Sequence, residues 1–383
     1  MRARRVILTD KDESMAPNSF YILMAFVIGA VFTVITIPLI IAFCRKFGFF
    51  DQPNQRKVHQ AAIPRLGGVA FLPSLAISFL TTLLAYSSST GNLGGFHFSA
   101  AVMALGASII YLAGMLDDLL DLPATTKFII MFVASAFMPS CNLVINNLHG
   151  LFGIYELPIW LGYGLTVLVI MTLVNALNLI DGIDGLSSGI SIIALTVFTY
   201  CFIDLRNIVF AVAAVGLLGS VIIFFFFNIF GRVGRLKIFM GDAGSLILGY
   251  VLAYLSIKYT LVSENDIYTD ANPLLIPISL FLVPVLDLVR VALTRLAVGE
   301  PMFKADKRHI HHVLMSAGLN MRQTLCVILA LALCFLLLNL WLEQVMVPIT
   351  VIFFLDIALF IIFFVVVYSI AHHRESMAEL MAE

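Results

Sequence analysis

The chain alternates between long apolar runs and short polar connections over its whole length. A helix needs about 20 mainly apolar residues to cross the hydrocarbon core of a membrane. We therefore expect an all-α, polytopic integral membrane protein. The pattern predicts eleven spanning helices, at residues 20–43, 67–88, 98–116, 128–145, 158–180, 186–203, 208–228, 243–262, 273–293, 323–342 and 348–370.

The composition supports this interpretation. Hydrophobic residues make up 61% of the 383 residues and charged residues 12%, with a mean hydropathy of +1.04. A soluble domain has about 25% charged residues, so the composition excludes a water-soluble globular protein. The five cysteines lie in or beside apolar runs without paired spacing, which is typical of buried thiols rather than disulfides. The net charge of −1 gives no reason to expect a nucleic-acid partner.

The distribution of charge predicts the orientation. Connections 44–66, 229–242 and 294–322 hold five, three and five Lys and Arg residues, whereas the connections of the other parity hold Arg206. Basic residues stay on the cytoplasmic side, so we expect a periplasmic N-terminus and a cytoplasmic C-terminus. Basic residues among the first 19 positions argue the other way, and a start at Met15 would remove that conflict. We expect one membrane domain at 20–370 between terminal tails at 1–19 and 371–383.

Four polar clusters stand where apolar runs end on the basic side. The first is Asp117-Asp118-x-x-Asp121, whose three carboxylates repel one another unless a cation or proton lies among them. Adjacent carboxylates suit capture of Mg²⁺ or the positioning and deprotonation of a phosphate. Lys127, at the start of the next span, would offset phosphate charge. The alternative, a solvated helix end without a task, fits one aspartate better than three.

The second cluster ends the fifth span. Asn175, Asn178 and Asp181 recur every three residues and therefore share a helix face. Amides at hydrocarbon depth are costly unless they are bonded, so these residues bind either neighbouring helices or a substrate. Asp181 and Asp184 also stand near the start of the next helix, where either is a candidate N-cap.

The third cluster, Gly241-Asp242-Ala243-Gly244-Ser245, opens the eighth span. Small residues at a helix N-terminus allow an anion to approach the backbone closely. An aspartate there also suits a metal that binds phosphates, and a simple capping residue is the alternative. No Gly-Lys-Ser/Thr sequence of a P-loop occurs in the chain.

The fourth cluster is Arg308-His309-Ile310-His311-His312. Its spacing matches no common zinc motif and no cysteine is near, so a site for pyrophosphate or sugar hydroxyls is the better interpretation. Lys57 and His59 add a second, weaker basic edge.

Two acids fall inside spans. Asp287 has Arg290 three residues further on as a candidate partner, and Asp356 has none evident in the sequence.

Taken together, the clusters resemble a known family. Asp-Asp-x-x-Asp, Asn-Ala-x-Asn-x-x-Asp-Gly-x-Asp-Gly-Leu, Phe-Met-Gly-Asp-Ala-Gly-Ser and His-Ile-His-His occur in the order found in the polyprenyl-phosphate N-acetylhexosamine-1-phosphate transferases, the MraY-like glycosyltransferase family 4. The resemblance runs from about Asp51 to Leu319. The His-Ile-His-His form resembles the WecA-type branch, because the sister branch of peptidoglycan synthesis usually has three adjacent histidines here.

The resemblance implies a role for each cluster. Asp117 and Asp118 match the catalytic pair, and Asn178 and Asp242 match the ligands of Mg²⁺, for which Mn²⁺ is a substitute. The remaining matches concern substrates: the phosphate-contacting Lys127, the uracil-recognising Asp184, further substrate contacts at Asn175 and Asp181, and the donor loop of Arg308, His309, His311 and His312.

The resemblance also implies the reaction. We expect transfer of N-acetylglucosamine 1-phosphate from its UDP form to undecaprenyl phosphate, with release of UMP, at the cytoplasmic face of a bacterial inner membrane. Direct attack by the lipid phosphate and a covalent aspartyl intermediate both stay open, as do other UDP-N-acetylhexosamine donors and a homodimer. A transporter would carry its ionisable groups near the bilayer midplane instead.

Overall fold

The computed structural model describes residues 2–51, 62–91, 98–264, 271–301 and 308–382. Within these residues, eleven helices are long and apolar enough to cross a membrane, as the hydropathy pattern predicts. A twelfth helix, α10, is short. The helices are α1 Arg2–Phe47, α2 Phe71–Thr90, α3 Phe98–Leu120, α4 Ala124–Ala136, α5 Ile159–Ile180, α6 Leu186–Asp204, α7 Ile208–Phe230, α8 Gly241–Ser263, α9 Leu275–Val298, α10 Ile310–Ser316, α11 Met321–Gln344 and α12 Ile349–Ala382.

Two predicted boundaries are wrong in ways that affect the candidate site. α3 continues to Leu120, so Asp117 and Asp118, expected just beyond the span, occupy its last turn, and Asp121 follows it as expected. α4 begins at Ala124, earlier than predicted, and so includes Lys127 in its first turn. In both cases the added residues make polar contacts with α8, through Asp118 and Lys127.

α8 lies at the centre of the bundle. Of its apolar segment, 83% of residues are buried, against 28% in α1 and 22% in α12. Glycines bring its neighbours close: a Cβ on Gly114 of α3 would lie 2.6 Å from the Cα of Ala243, and one on Gly249 would lie 2.5 Å from the Cα of Val174 in α5. Small residues permit such close helix contact in membranes. This contact sets α3 and α5 against the first turns of α8.

The segment before α2 joins the segment before α8. Gly67 and Gly68 donate backbone hydrogen bonds to the carbonyls of Phe239 and Met240, at 2.9 and 2.8 Å. A two-residue antiparallel pair, Phe50–Asp51 with Ile63–Pro64, lies beside this junction. The connections that follow α1 and α7 therefore meet on one face of the bundle.

Asp356 of α12, which lacks an evident partner in the sequence, finds one in tertiary structure. It is fully buried, and Asn339 of α11 donates its amide both to Asp356 at 2.8 Å and to Ser279 of α9 at 2.9 Å. This polar contact joins three helices inside the membrane segment. On the face opposite the polar clusters, residues 146–157 form a compact turn closed by a bridge between Asn147 and Glu156.

Candidate active site

The four polar clusters converge on an open cavity of about 520 Å³ at one face of the bundle. The prediction that they share a face is confirmed by direct contacts between them. Seven aspartates line this cavity together with one arginine and one lysine. The charged and amide lining residues are Asp51, Arg65, Asp117, Asp118, Asp121, Lys127, Asn178, Asp181, Asp184, Asn228, Asp242 and His312.

Asp118 holds the start of α8. Its side chain is 5% exposed, and its two carboxylate oxygens accept hydrogen bonds from the backbone N–H groups of Asp242 and Ala243, at 2.9 and 3.0 Å. A carboxylate is favoured at a helix N-terminus because these amides have no partner within the helix. The sequence predicts that an anion binds at this N-terminus, and the carboxylate of Asp118 occupies that position. Gly241 approaches the same carboxylate with a φ of +74°, a conformation that favours glycine.

Asp117 faces the other way, into a group of charges on the cavity floor. One of its oxygens accepts a hydrogen bond from the N–H of Leu122 at 2.7 Å, and the other is in contact with the ammonium of Lys127. The same ammonium lies 3.0 Å from Oδ2 of Asp242. A single cation therefore lies between carboxylates from α3 and α8, as the charge repulsion within the first cluster requires.

Asn178 joins this group from α5. Its amide nitrogen donates to Oδ1 of Asp242 at 2.8 Å and to the hydroxyl of Ser245 at 2.9 Å. The amide predicted at hydrocarbon depth is therefore bonded to a neighbouring helix and also lines the cavity.

The turn between α5 and α6 carries two more carboxylates. Asp181 ends α5, and Gly185, with a φ of +80°, is the N-cap of α6, so the N-cap interpretation of Asp181 and Asp184 is wrong. Burial, followed by the nearby carboxylates of Asp242, Asp184 and Asp118, raises the pKa of Asp181 well above its usual range. This end of the cavity therefore has an excess of negative charge that favours a proton or a cation.

Sequence reasoning missed the partners of Asp184. Lys237 forms an ion pair with its Oδ2 at 2.5 Å, and the amide of Asn228 lies 3.4 Å from its Oδ1. Asn228 also accepts from the N–H of Gly185 at 2.7 Å and donates to the carbonyl of Ile238 at 2.9 Å. A lone amide at the end of the Phe-rich α7 was the available signal.

The histidine cluster lies at the rim of the cavity. His312 lines it, whereas His309 and His311 are 5% and 2% exposed, in parallel rings 6.0 Å apart. The ring of His311 abuts Gly182, where a Cβ would lie 2.2 Å from its Nε2. Burial, and then the neighbouring imidazoles of His312 and His309, lowers the pKa of His311 to about 3.

Three further predictions have different outcomes. The expected pair of Asp287 and Arg290 is confirmed, with 2.7 Å between Oδ1 and Nη2. Asn175, a predicted substrate contact, is partly buried and is not among the residues that line the cavity. Arg308, predicted for the donor loop, forms an ion pair with Glu300, with 2.5 Å between Nη2 and Oε2. The predicted contacts of Lys57 and His59 lie outside the described residues.

The donor groups at the cavity floor fit Mg²⁺. Within the described residues, no three His, Cys, Asp or Glu side chains are grouped closely enough to hold a metal ion by themselves. Mg²⁺ commonly binds one or two carboxylates and completes its octahedron with water and substrate phosphates, so such a group is not required. Asp242 supplies a carboxylate beside the amide of Asn178, and the ammonium of Lys127 joins Asp242 to Asp117.

Known proteins resemble the chain over most of its length. A family model described as Glycosyl transferase family 4 matches residues 100–260, from α3 to α8. The chain is 31% identical over 311 residues to the probable undecaprenyl-phosphate N-acetylglucosaminyl 1-phosphate transferase of Bacillus subtilis (strain 168), covering 80% of this chain and 81% of that protein. It is 29% and 27% identical to the undecaprenyl-phosphate alpha-N-acetylglucosaminyl 1-phosphate transferases of Yersinia pestis and Escherichia coli O157:H7, covering 74% of both chains in each case. This chain, a multi-pass membrane protein, therefore belongs to glycosyl transferase family 4, among the polyprenyl-phosphate N-acetylhexosamine-1-phosphate transferases.

Proposed function

We propose that this protein transfers N-acetylglucosamine 1-phosphate from UDP-N-acetylglucosamine to undecaprenyl phosphate and releases UMP. The product is the lipid-linked sugar that begins synthesis of an O-antigen or common-antigen type of glycan. We further propose that the cavity faces the cytoplasm from a bacterial inner membrane, since the connections on its side of the chain hold most of the Lys and Arg residues.

The observation that carries this proposal is the charge of the cavity. Seven aspartates and two basic side chains line an opening at the end of the membrane helices. A pyrophosphate would be repelled by such a surface unless cations bound with it. A site for two phosphate substrates and Mg²⁺ accounts for both the acids and their placement, because the nucleotide is water-soluble and the acceptor stays in the lipid.

Each residue at the cavity floor has a separate task in this reaction. Because Asp118 is engaged by two backbone amides, we assign proton removal from the acceptor phosphate to Asp117. Lys127 then offsets charge on the transferred phosphate. The lipid phosphate attacks the β-phosphorus in line with departing UMP, so the bond to undecaprenyl phosphate forms as the bond to UMP breaks.

Mg²⁺, when bound by Asp242 and Asn178, would neutralise phosphate charge that Lys127 alone cannot. Its donors are all oxygen atoms, which is also compatible with Mn²⁺. Removal of metal with a chelator should abolish transfer, and added Mg²⁺ should restore it.

The identity of the sugar is the finer part of the proposal. The named relatives act on N-acetylglucosamine, and identities of 27–31% leave room for another N-acetylhexosamine. N-acetylfucosamine, N-acetylquinovosamine and N-acetylgalactosamine are the alternatives, and the phospho-N-acetylmuramoyl-pentapeptide of peptidoglycan synthesis is a more remote one.

The test is reconstitution of the purified protein with undecaprenyl phosphate, Mg²⁺ and a panel of labelled UDP-sugars. Label should enter the lipid phase from UDP-N-acetylglucosamine, and excess UMP should return it, because one phosphoanhydride is exchanged for another. Asp117→Asn should abolish labelling while the protein stays folded. Labelling by no sugar of the panel, or unchanged turnover in that variant, would refute the proposal.

A further inference from the structure

Asp287 is a buried carboxylate on α9, separate from the acids that line the cavity. This residue is 2% exposed and is not among the residues that line the cavity. Three donors surround it. Arg290 and the backbone N–H of Ile310 reach Oδ1 at 2.7 and 3.0 Å, and Nδ1 of His309 lies 2.8 Å from Oδ2.

Two of these three donors belong to the histidine cluster. Most of this cluster belongs to α10 or lies directly before it, and α10 is only seven residues long. A helix this short is not stable by itself in water or at a membrane surface, so its position depends on tertiary contacts. Asp287 contacts its amino end, and Arg290 adds a bond of 2.5 Å to the carbonyl of Arg308.

Contacts within the cluster couple the position of His309 to the positions of His311 and His312. The N–H of His312 donates to the carbonyl of His309 at 2.9 Å, which closes the turn between them. The rings of His309 and His311 are parallel within 4°, and those of His311 and His312 lie 4.3 Å apart. Because His312 lines the cavity, a displacement at His309 would move a cavity side chain.

The contact also fixes the orientation of the His309 ring. An ionised carboxylate only accepts hydrogen bonds, so Nδ1 of His309 must carry the hydrogen that Asp287 receives. Buried carboxylates that orient a histidine in this way act on the ring without touching the ligand.

We propose that Asp287 is a positioning residue for the nucleotide-sugar donor, acting through His309 and Ile310 to hold the histidine cluster in its binding geometry. This inference rests on the proposed function, since it takes the ligand at His312 to be the UDP-sugar. Asp287 does not line the cavity and contacts the histidine cluster alone of the four polar clusters, so its effect should fall on the donor and spare the lipid acceptor.

The experiment compares Asp287→Asn with a matched control, Asp356→Asn. Both remove a buried carboxylate within a membrane helix and keep the volume of the side chain, but Asp356 is bonded to Asn339 and has no contact with the histidine cluster. In Asp287→Asn the amide cannot accept from both Ile310 and His309. We expect the KM for UDP-sugar to rise about 10- to 100-fold, with the KM for undecaprenyl phosphate within about twofold of wild type.

His309→Ala provides the second variant, which alters the cluster without altering α9. It should raise the donor KM to a similar extent, and the double variant should be no worse than either single one, because both act through one contact. Size-exclusion profiles and melting temperatures establish that each variant is folded.

The outcomes separate this inference from the proposed function. A wild-type protein that transfers no sugar contradicts the proposed function. A wild-type protein that is active while Asp287→Asn or His309→Ala keeps its donor KM overturns the positioning role. Equal rises in both KM values, or additive effects in the double variant, would likewise overturn it.

Discussion

Replacing Asp118 with Asn tests whether the two adjacent aspartates of α3 have different tasks. Asp118 accepts two hydrogen bonds from the first turn of α8, at 2.9 and 3.0 Å, whereas Asp117 contacts Lys127 on the cavity floor. An asparagine at 118 keeps one acceptor oxygen and turns an N–H₂ group toward the second backbone N–H. The variant therefore loses one hydrogen bond to a buried charge and weakens the other.

The magnitude follows from these contacts. A hydrogen bond to a charged group contributes about 1.5–3 kcal/mol, and an unpartnered buried donor adds to the loss. We expect Asp118→Asn to lower the free energy of unfolding by about 3 kcal/mol. For a chain of this size that corresponds to a fall of roughly 4 °C in the melting temperature.

The assay measures melting temperature and sugar transfer side by side in detergent-solubilised protein. Asp118→Asn should have a lower melting temperature and should lose sugar transfer, because the first turn of α8 carries Asp242. Asp117→Asn should lose transfer while melting within about 2 °C of wild type, since Lys127 keeps its bond to Asp242. Gly241→Ala checks the same contact without changing charge: its Cβ would lie 2.6 Å from Asp118 and 2.2 Å from the carbonyl of Arg65. An Asp118→Asn protein as stable as wild type would show that this carboxylate does not stabilise the start of α8.

Three further predictions concern other parts of the bundle. Gly182→Ala places a Cβ 2.2 Å from Nε2 of His311 and should raise the donor KM at least about tenfold, as steady-state kinetics would measure; an unchanged KM would contradict the observed contact. Asn339→Ala leaves Asp356 buried without its donor and should lower the free energy of unfolding by about 3 kcal/mol, whereas Asp356→Asn should lower it by less than about 1 kcal/mol. Thermal unfolding of both variants checks this, and a larger loss in Asp356→Asn would contradict it. The pKa of His311 is lowered to about 3 in the folded protein, so this side chain takes up a proton only in the unfolded chain as the pH falls below about 6.5. The free energy of unfolding should therefore fall by up to about 1.4 kcal/mol per pH unit between pH 6.5 and 5. Melting temperatures at several pH values should show this slope in wild type and a flatter one in His311→Gln.

The helices and the shared face of the four clusters could be predicted because each depends on local chemistry. Apolar runs of membrane length and the parity of their connections are properties of the sequence itself, and the described residues contain the eleven long apolar helices that the pattern predicts. Helix ends were less predictable, since α3 extends through Asp117 and Asp118 and α4 starts before Lys127. Such extensions depend on what packs against the helix end.

Hydropathy and motif order were enough to predict the eleven candidate membrane helices of the described residues and the acids, amides and histidines that share one face. The different contacts of the individual acids could not be predicted, because they depend on tertiary packing. Asp117 and Asp118 are adjacent and chemically identical, yet one faces a lysine and the other the amides of α8. Likewise, Asp356 found its partner in Asn339 on another helix. Helical rotation and the close approach permitted by Gly114 and Gly249 set these contacts, and no local pattern encodes the distance between helices that are far apart in the chain.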